Sequence, residues 1–161
     1  MKKTPQEKYI IDGYNVMHFS SKYKILLENK FKMAREQFIQ NLTDFFSTKR
    51  NEIVVVFDGK ESSEINLLSN PKIKVIFSPP FKSADQKIKS LIDLSKNKKL
   101  TIVVSSDNEV LEYARVSRCR TLTSIEFFRR LSGKPKDYEN NIKSRVLSKN
   151  EIEAWKEIFN K

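Results

Sequence analysis

Four aspartates sit where a parallel sheet would need them to do phosphate chemistry. Asp12 directly follows the apolar run Tyr9-Ile10-Ile11, and Asp58 directly follows Ile53 to Phe57. Asp107 comes two serines after Thr101 to Val104, and Asp85 falls in the first turn of a helical pattern. The C-terminal ends of parallel strands share one edge, and ligands bind in the crevice outside it. Each acid taken alone has an ordinary use. Asp12-Gly13 and Asp58-Gly59 are turn dipeptides, Asp85 suits a helix N-terminus, and Asp107 suits an N-cap. Turns and caps do not, however, require carboxylates on a common edge. Clustered carboxylates repel unless a cation or raised pKa values relieve them. An all-oxygen set suits a hard divalent ion, Mg²⁺ or Mn²⁺, that keeps several waters and takes its remaining ligands from phosphate. The chemistry that follows is hydrolysis of a phosphodiester by metal-activated water.

Other catalytic sets are excluded by count. The single cysteine, Cys119, rules out an intrachain disulfide framework and a thiolate zinc site. The single histidine, His18, rules out paired-histidine zinc motifs and is read first as structural. Only three glycines occur, Gly13, Gly59 and Gly133, so neither a dinucleotide fingerprint nor a P-loop is present and no dinucleotide cofactor is expected.

The elements that must position the acids are legible as short β-rich runs between helical patterns. Strands are expected at Tyr9–Ile11, Ile53–Phe57, Ile73–Phe77 and Thr101–Val104, with a weaker one at Arg120–Leu122. Phe38, Ile39, Leu42, Phe45 and Phe46 form one face of a helix from about Met33 to Phe46. Ala84, Ile88, Leu91 and Ile92 repeat that spacing behind a capping box in Ser83-Ala84-Asp85-Gln86. Ser106 to Glu109 offers a second box, and Ile125, Phe128 and Leu131 mark another short helix. Strands alternating with helices imply an α/β fold with a mostly parallel central sheet, its neighbours joined by right-handed crossovers.

The chain has 161 residues, the size of one domain, and its 39% hydrophobic content supports a core. Thirty-one Lys and Arg against twenty Asp and Glu leave a net charge of +11, which favours a polyanionic partner. No apolar run is long enough for a signal peptide or a bilayer span, so a cytoplasmic protein without a membrane partner is expected. Lys60, Arg35 and Lys82 lie near the acids in sequence and are candidates to contact substrate phosphates; Tyr14 and Phe81 are candidates to stack on unpaired bases. From Gly133 the chain turns polar, then Ser148-Lys149-Asn150-Glu151 and the face Ile152, Trp155, Phe159 indicate a closing helix. The expected division is therefore a domain over residues 1–132, with a polar linker and a helix over 133–161 docking on it.

Ile11-Asp12-Gly13-Tyr14-Asn15-Val16 resembles the opening motif of NYN domains, a branch of the PIN-like nucleases. Val55-Val56-Phe57-Asp58-Gly59-Lys60, Ser83-Ala84-Asp85-Gln86-Lys87-Ile88 and Val103-Val104-Ser105-Ser106-Asp107 are similar to that superfamily's later acidic motifs. Ala34-Arg35-Glu36 and Ser124-Ile125-Glu126-Phe127 resemble the bacterial YacP-like subfamily in particular. The resemblance implies a PIN-like three-layer fold and a metal-dependent endoribonuclease of the cytoplasm, with RNA as partner and ribosome-associated messenger RNA as a further implied target. It makes Asp12, Asp58, Asp85 and Asp107 the catalytic and metal-binding acids and gives Asn15 the task of orienting the first acid or touching substrate. Ser106, inside the last motif, joins Asn15, Arg35, Lys60 and Lys82 as a substrate-binding candidate. RNA rather than DNA is the choice of the resemblance, because metal-assisted hydrolysis needs no 2′-hydroxyl.

Two departures from the subfamily stand out. Lys89 occupies a position where an acid is usual, four residues beyond Asp85, which argues for one ion rather than two. Arg118-Cys119-Arg120 replaces a pair of small residues. A rival reading keeps the fold without catalysis, as an RNA- or ribosome-binding module. A small-molecule phosphohydrolase is a weaker rival, since no D-x-D follows the first strand.

Overall fold

The computed structural model describes residues 6–59, 69–79 and 82–133. The closing helix, the polar segment before it, Lys60 and Phe81 lie outside the described residues. Five strands, β1 (Glu7–Asp12), β2 (Asn51–Phe57), β3 (Ile73–Phe77), β4 (Thr101–Val104) and β5 (Arg120–Leu122), form one sheet in the order β3-β2-β1-β4-β5. Every pairing is parallel. The runs that are apolar throughout become the inner strands, because both of their faces are covered. β4 is buried at every residue, and β2 from Ile53 onward.

Successive side chains on a strand point to opposite faces, so one sheet needs two cores. Ile11, Val55 and Val104 face a core filled by Val16, Met17, Leu27, Phe38, Leu42 and Phe127. These come from α1 (Gly13–Met17), α2 (Ser21–Asn29), α3 (Phe31–Phe46) and α6 (Ser124–Ser132). Ile10, Val54, Val56 and Val103 face the other core, filled by Ile88 and Ile92 of α4 (Ala84–Leu94) and by Val110 and Ala114 of α5 (Asn108–Val116). The result is three layers, helices on either side of the sheet. Truncating a buried anchor such as Phe38 would cost about 3–5 kcal/mol.

The Ser83–Gln86 capping box forms as expected, and Ala84, Ile88 and Ile92 make the buried stripe of α4. The second box differs. Asp107, not Ser106, caps α5, its carboxylate accepting from the Glu109 and Val110 N–H groups. α6 is also rotated from its expected face. Phe127 is the buried ring, while Ile125 and Phe128 are half-buried, and a Thr123–Glu126 capping box sets its start. Two helices were not expected. α1 begins at the residue after Asp12, and α2 is marked by little beyond its buried Tyr23 and Leu27. Arg118 takes a left-handed φ of 69° just before the buried Cys119, so the turn there is built without glycine. Among the described residues no helix is long and apolar enough to cross a membrane.

Register decides what meets at the edge. Asp12 pairs with Val56, two residues before Asp58, and Ile11 pairs with Val104, the residue before Ser105. The ends of β1, β2 and β4 are therefore level, and α4 and α5 start at the same edge.

Candidate active site

Asp12 is the deepest of the acids, only 8% exposed. Ser105 Oγ donates to its Oδ2 at 2.9 Å and accepts the Asp107 N–H at 3.1 Å. Burial pushes the Asp12 carboxyl up to about 7; the Ser105 hydrogen bond opposes that rise, and the charges of Asp85, Asp107 and Asp58 add to it. That influence agrees with the strand register, which brings the ends of β1, β2 and β4 to one edge.

Asp85, in the first turn of α4, is pushed up to about 6 by burial first, then by the charge of Asp107 and a hydrogen bond with it. Its oxygens and those of Asp107 and Glu109 supply three ligand atoms within 4.8 Å of one another. Asp58 stands apart from that triplet. It is exposed, and its Oδ1 accepts from the buried Ser78 hydroxyl at 3.0 Å, while Ser78 Oγ accepts the Gly59 N–H at 3.3 Å. The donor set fits a hard divalent cation. It is all oxygen and spaced for shared ligation, and the raised Asp12 and Asp85 carboxyls mark a crowding of negative charge that a cation would relieve.

The polar residues expected to touch substrate have structural partners. Asn15 Oδ1 accepts the Ser106 N–H at 2.8 Å and the Ser124 hydroxyl at 2.5 Å. Ser106 Oγ accepts the Ser124 N–H at 3.0 Å. These bonds lock the end of β4 to the start of α6. Arg35 Nη1 donates to the Tyr14 hydroxyl at 3.0 Å, and its guanidinium lies 5.5 Å from the Phe77 ring centroid. The Tyr14 ring packs on Phe57 with centroids 4.9 Å apart, so the structure uses Tyr14 and Arg35 to brace the strand that carries Asp58. Lys82 Nζ donates to Ser90 Oγ at 2.7 Å, on the flank of α4. Burial, then the charge of Lys24, lowers His18 to about 4, which leaves its imidazole neutral near pH 7 and unsuited to donate a proton. Burial raises the Cys119 thiol, so that residue stays unreactive.

Sequence reasoning missed Glu109, which the Ser106–Glu109 pattern had marked as a capping residue, and the serines Ser78, Ser105 and Ser124. Serine placement leaves no periodic trace. Lys89 Nζ, from the middle of α4, reaches Glu109 Oε1 in the first turn of α5 at 2.7 Å, a pairing of opposite charges across neighbouring helices.

Comparisons with known proteins agree with this architecture. Over 110 residues the chain is 29% identical to YacP, an uncharacterized protein of Bacillus subtilis (strain 168), a match that covers 65% of this chain and 62% of that protein. It therefore spans less than two-thirds of the relative's length. The crystal structure of Rae1 (YacP) from Bacillus subtilis superimposes with a TM-score of 0.69 at 23% identity, covering 96% of this chain and 91% of that one. Its W164L mutant gives a TM-score of 0.65 at 24% identity, over 89% and 85% of the two chains. At these identities the likeness establishes the fold. A family model for the YacP-like NYN domain matches residues 9–160, nearly the whole length, and the chain belongs to that family of PIN-like nucleases.

Proposed function

We propose that this protein is a metal-dependent endoribonuclease that hydrolyses RNA phosphodiester bonds. One observation carries the reading. A protein of net charge +11 gathers Asp12, Asp58, Asp85, Asp107 and Glu109 at the edge where its parallel strands end, and buries the first of them at an energetic cost. Capping and helix-end charge account for Asp107 and Asp85 singly, but not for a buried Asp12 set beside them at a cost to the fold. Mg²⁺ or Mn²⁺ bound there would supply charge neutralisation at a phosphoryl oxygen and acidify a water. Asp85 and Asp107 would hold the ion from the solvent side, with Asp12 beneath them. Asp58, fixed at Oδ1 by Ser78, would accept a proton from the attacking water at Oδ2. The water oxygen forms its bond to phosphorus as the bond to the leaving ribose oxygen breaks, and solvent protonates that oxygen. The basic surface, with Lys60 and Lys82 nearest the acids in sequence, would bind the phosphate backbone.

Cytoplasmic RNA, including messenger RNA on the ribosome, is the proposed substrate pool. The test is cleavage of unstructured, structured and ribosome-bound RNA with Mg²⁺ or Mn²⁺, comparing wild type with Asp12→Asn and Asp107→Asn. Lost cleavage with retained binding supports the proposal. Equal activity in the variants rejects these acids as the site. A second reading draws on the Lys89–Glu109 ion pair, which already neutralises part of the cluster. It makes the chain a non-catalytic RNA- or ribosome-binding module. That reading requires binding that weakens steeply with salt and no cleavage of any of the three substrates with either metal.

A further inference from the structure

Lys89 follows Asp85 by one helical turn, so the two share a face of α4. The Lys89 ammonium extends from there to α5, where its Nζ sits 2.7 Å from Glu109 Oε1 and 5.6 Å from the centroid of the Tyr113 ring. Glu109 is one of the three acids whose oxygens lie within 4.8 Å of one another. A cation belonging to the chain therefore already stands at the triplet. Glu109 is open to solvent (72% exposed) and Lys89 half-buried (24%), so the pair adds little to stability and acts chiefly on local charge.

Charge and space then point the same way. Asp85, Asp107 and Glu109 carry −3 when ionised, and the ammonium brings that to −2, the charge one divalent ion balances. Two-metal phosphodiester sites hold their ions about 3.5–4 Å apart, so within the triplet a second ion beside one on Asp85 and Asp107 would need Glu109. To take it, that ion would have to expel an ammonium already in hydrogen-bond contact and then face its repulsion.

We propose that Lys89 is a resident counter-cation of the acidic cluster: it occupies Glu109 and limits the site to a single divalent ion on Asp85 and Asp107. This rests on the nuclease reading only in that the cluster takes a divalent ion at all.

The test is a calorimetric Mn²⁺ titration, with free Mn²⁺ followed by its electron paramagnetic resonance signal, so no cleavage is needed. Wild type and Lys89→Arg should bind one ion. Lys89→Met should bind two, or bind the second at least tenfold more tightly than wild type does. Lys89→Met combined with Glu109→Gln should return to one. Lys89→Gln serves in place of Lys89→Met if circular dichroism shows the latter misfolded. A Lys89→Met protein that binds one ion as wild type does overturns the proposal and leaves the metal site intact. So does a wild type that binds two, or a second ion that persists in the double variant. A wild type that binds no Mn²⁺ overturns the proposal together with the metal-dependent reading.

Discussion

The Ser105 hydroxyl donates to Asp12 Oδ2 at 2.9 Å, joining the residue after β4 to the carboxylate that ends β1. Because the same oxygen accepts the Asp107 N–H at 3.1 Å, one fully buried serine sets two of the acids at once. Of the influences on Asp12, its hydrogen bond is the one that favours the charged form. Ser105→Ala should therefore raise the Asp12 carboxyl beyond about 7 and weaken Mn²⁺ binding near neutral pH, with recovery above pH 9. It should also cost about 1–3 kcal/mol of stability through the orphaned partners. Mn²⁺ titrations from pH 6 to pH 10 on both proteins check this; superimposable pH profiles would refute it.

Asp12 also makes the metal-free protein sensitive to alkali. Its folded pKa, about 7, lies above the ordinary 3.8, so between those values the folded state binds more protons than the unfolded state. Stability from this group is thus full below pH 3.8 and is lost as pH rises through 7. Asp12→Asn removes the cost while keeping an acceptor for Ser105. In EDTA at pH 8 the variant should be more stable than wild type by about 1–3 kcal/mol. Added Mn²⁺ should stabilise wild type more than the variant, which keeps Asp85 and Asp107 but lacks the third charge beneath them. Denaturant melts at pH 5 and pH 8, with and without Mn²⁺, measure all of it, and a variant less stable than wild type at pH 8 in EDTA would contradict the burial argument.

The positions of the acids were readable because a strand buried on both faces must be apolar to its last residue, so an aspartate after Ile11 or Phe57 marks an edge. The expected strands all formed, with only their ends adjusted, for the same reason. Glu109 was hidden by a local motif with two solutions: Ser106 and Asp107 both cap helices well, and tertiary contacts chose Asp107. That choice placed Glu109 in the first turn, facing Lys89. Tyr14 and Arg35 were expected at the substrate, and their contact with each other left no trace in the sequence for a different reason. An aromatic and a cation beside an acid look alike whether they face RNA or each other, and here they bond to each other across 21 residues of sequence. In α6 the two-phenylalanine run permitted either ring to face the core, and packing against Tyr9 and Phe46 selected Phe127.

Asn15 tests whether the site is framed or merely lined. Its Oδ1 takes two donors, the Ser106 N–H and the Ser124 hydroxyl, and Ser124 is fully buried. Asn15→Ala leaves both without that acceptor, at a cost of about 1–3 kcal/mol. Because the bonds frame the end of β4, RNA affinity should stay within about twofold of wild type while cleavage falls at least tenfold, a change of about 1.4 kcal/mol in barrier. Filter binding, single-turnover cleavage and thermal melts separate the effects. Unchanged stability with weakened RNA binding would make Asn15 a substrate contact instead.

Gly13 is required by proximity. Its φ is not left-handed, yet a Cβ there would meet the Phe57 ring at 2.4 and 2.6 Å and Val55 Cγ1 at 3.1 Å. The ring cannot retreat easily, since it is fully buried between Tyr14 and Phe77, with centroids 4.9 and 5.5 Å away. Asp58 is the next residue along, so displacement of Phe57 carries to the acid. Gly13→Ala should destabilise the fold by about 1–3 kcal/mol, as overpacking of a filled core does. Phe57→Leu removes the clashing ring edge at its own cost in burial. In the double variant the two penalties should fall short of their sum by at least about 0.5 kcal/mol, because they act on one contact. Urea unfolding of the four proteins gives the coupling directly, and strictly additive penalties would mean that the close approach of Gly13 to Phe57 does not govern this corner of the site.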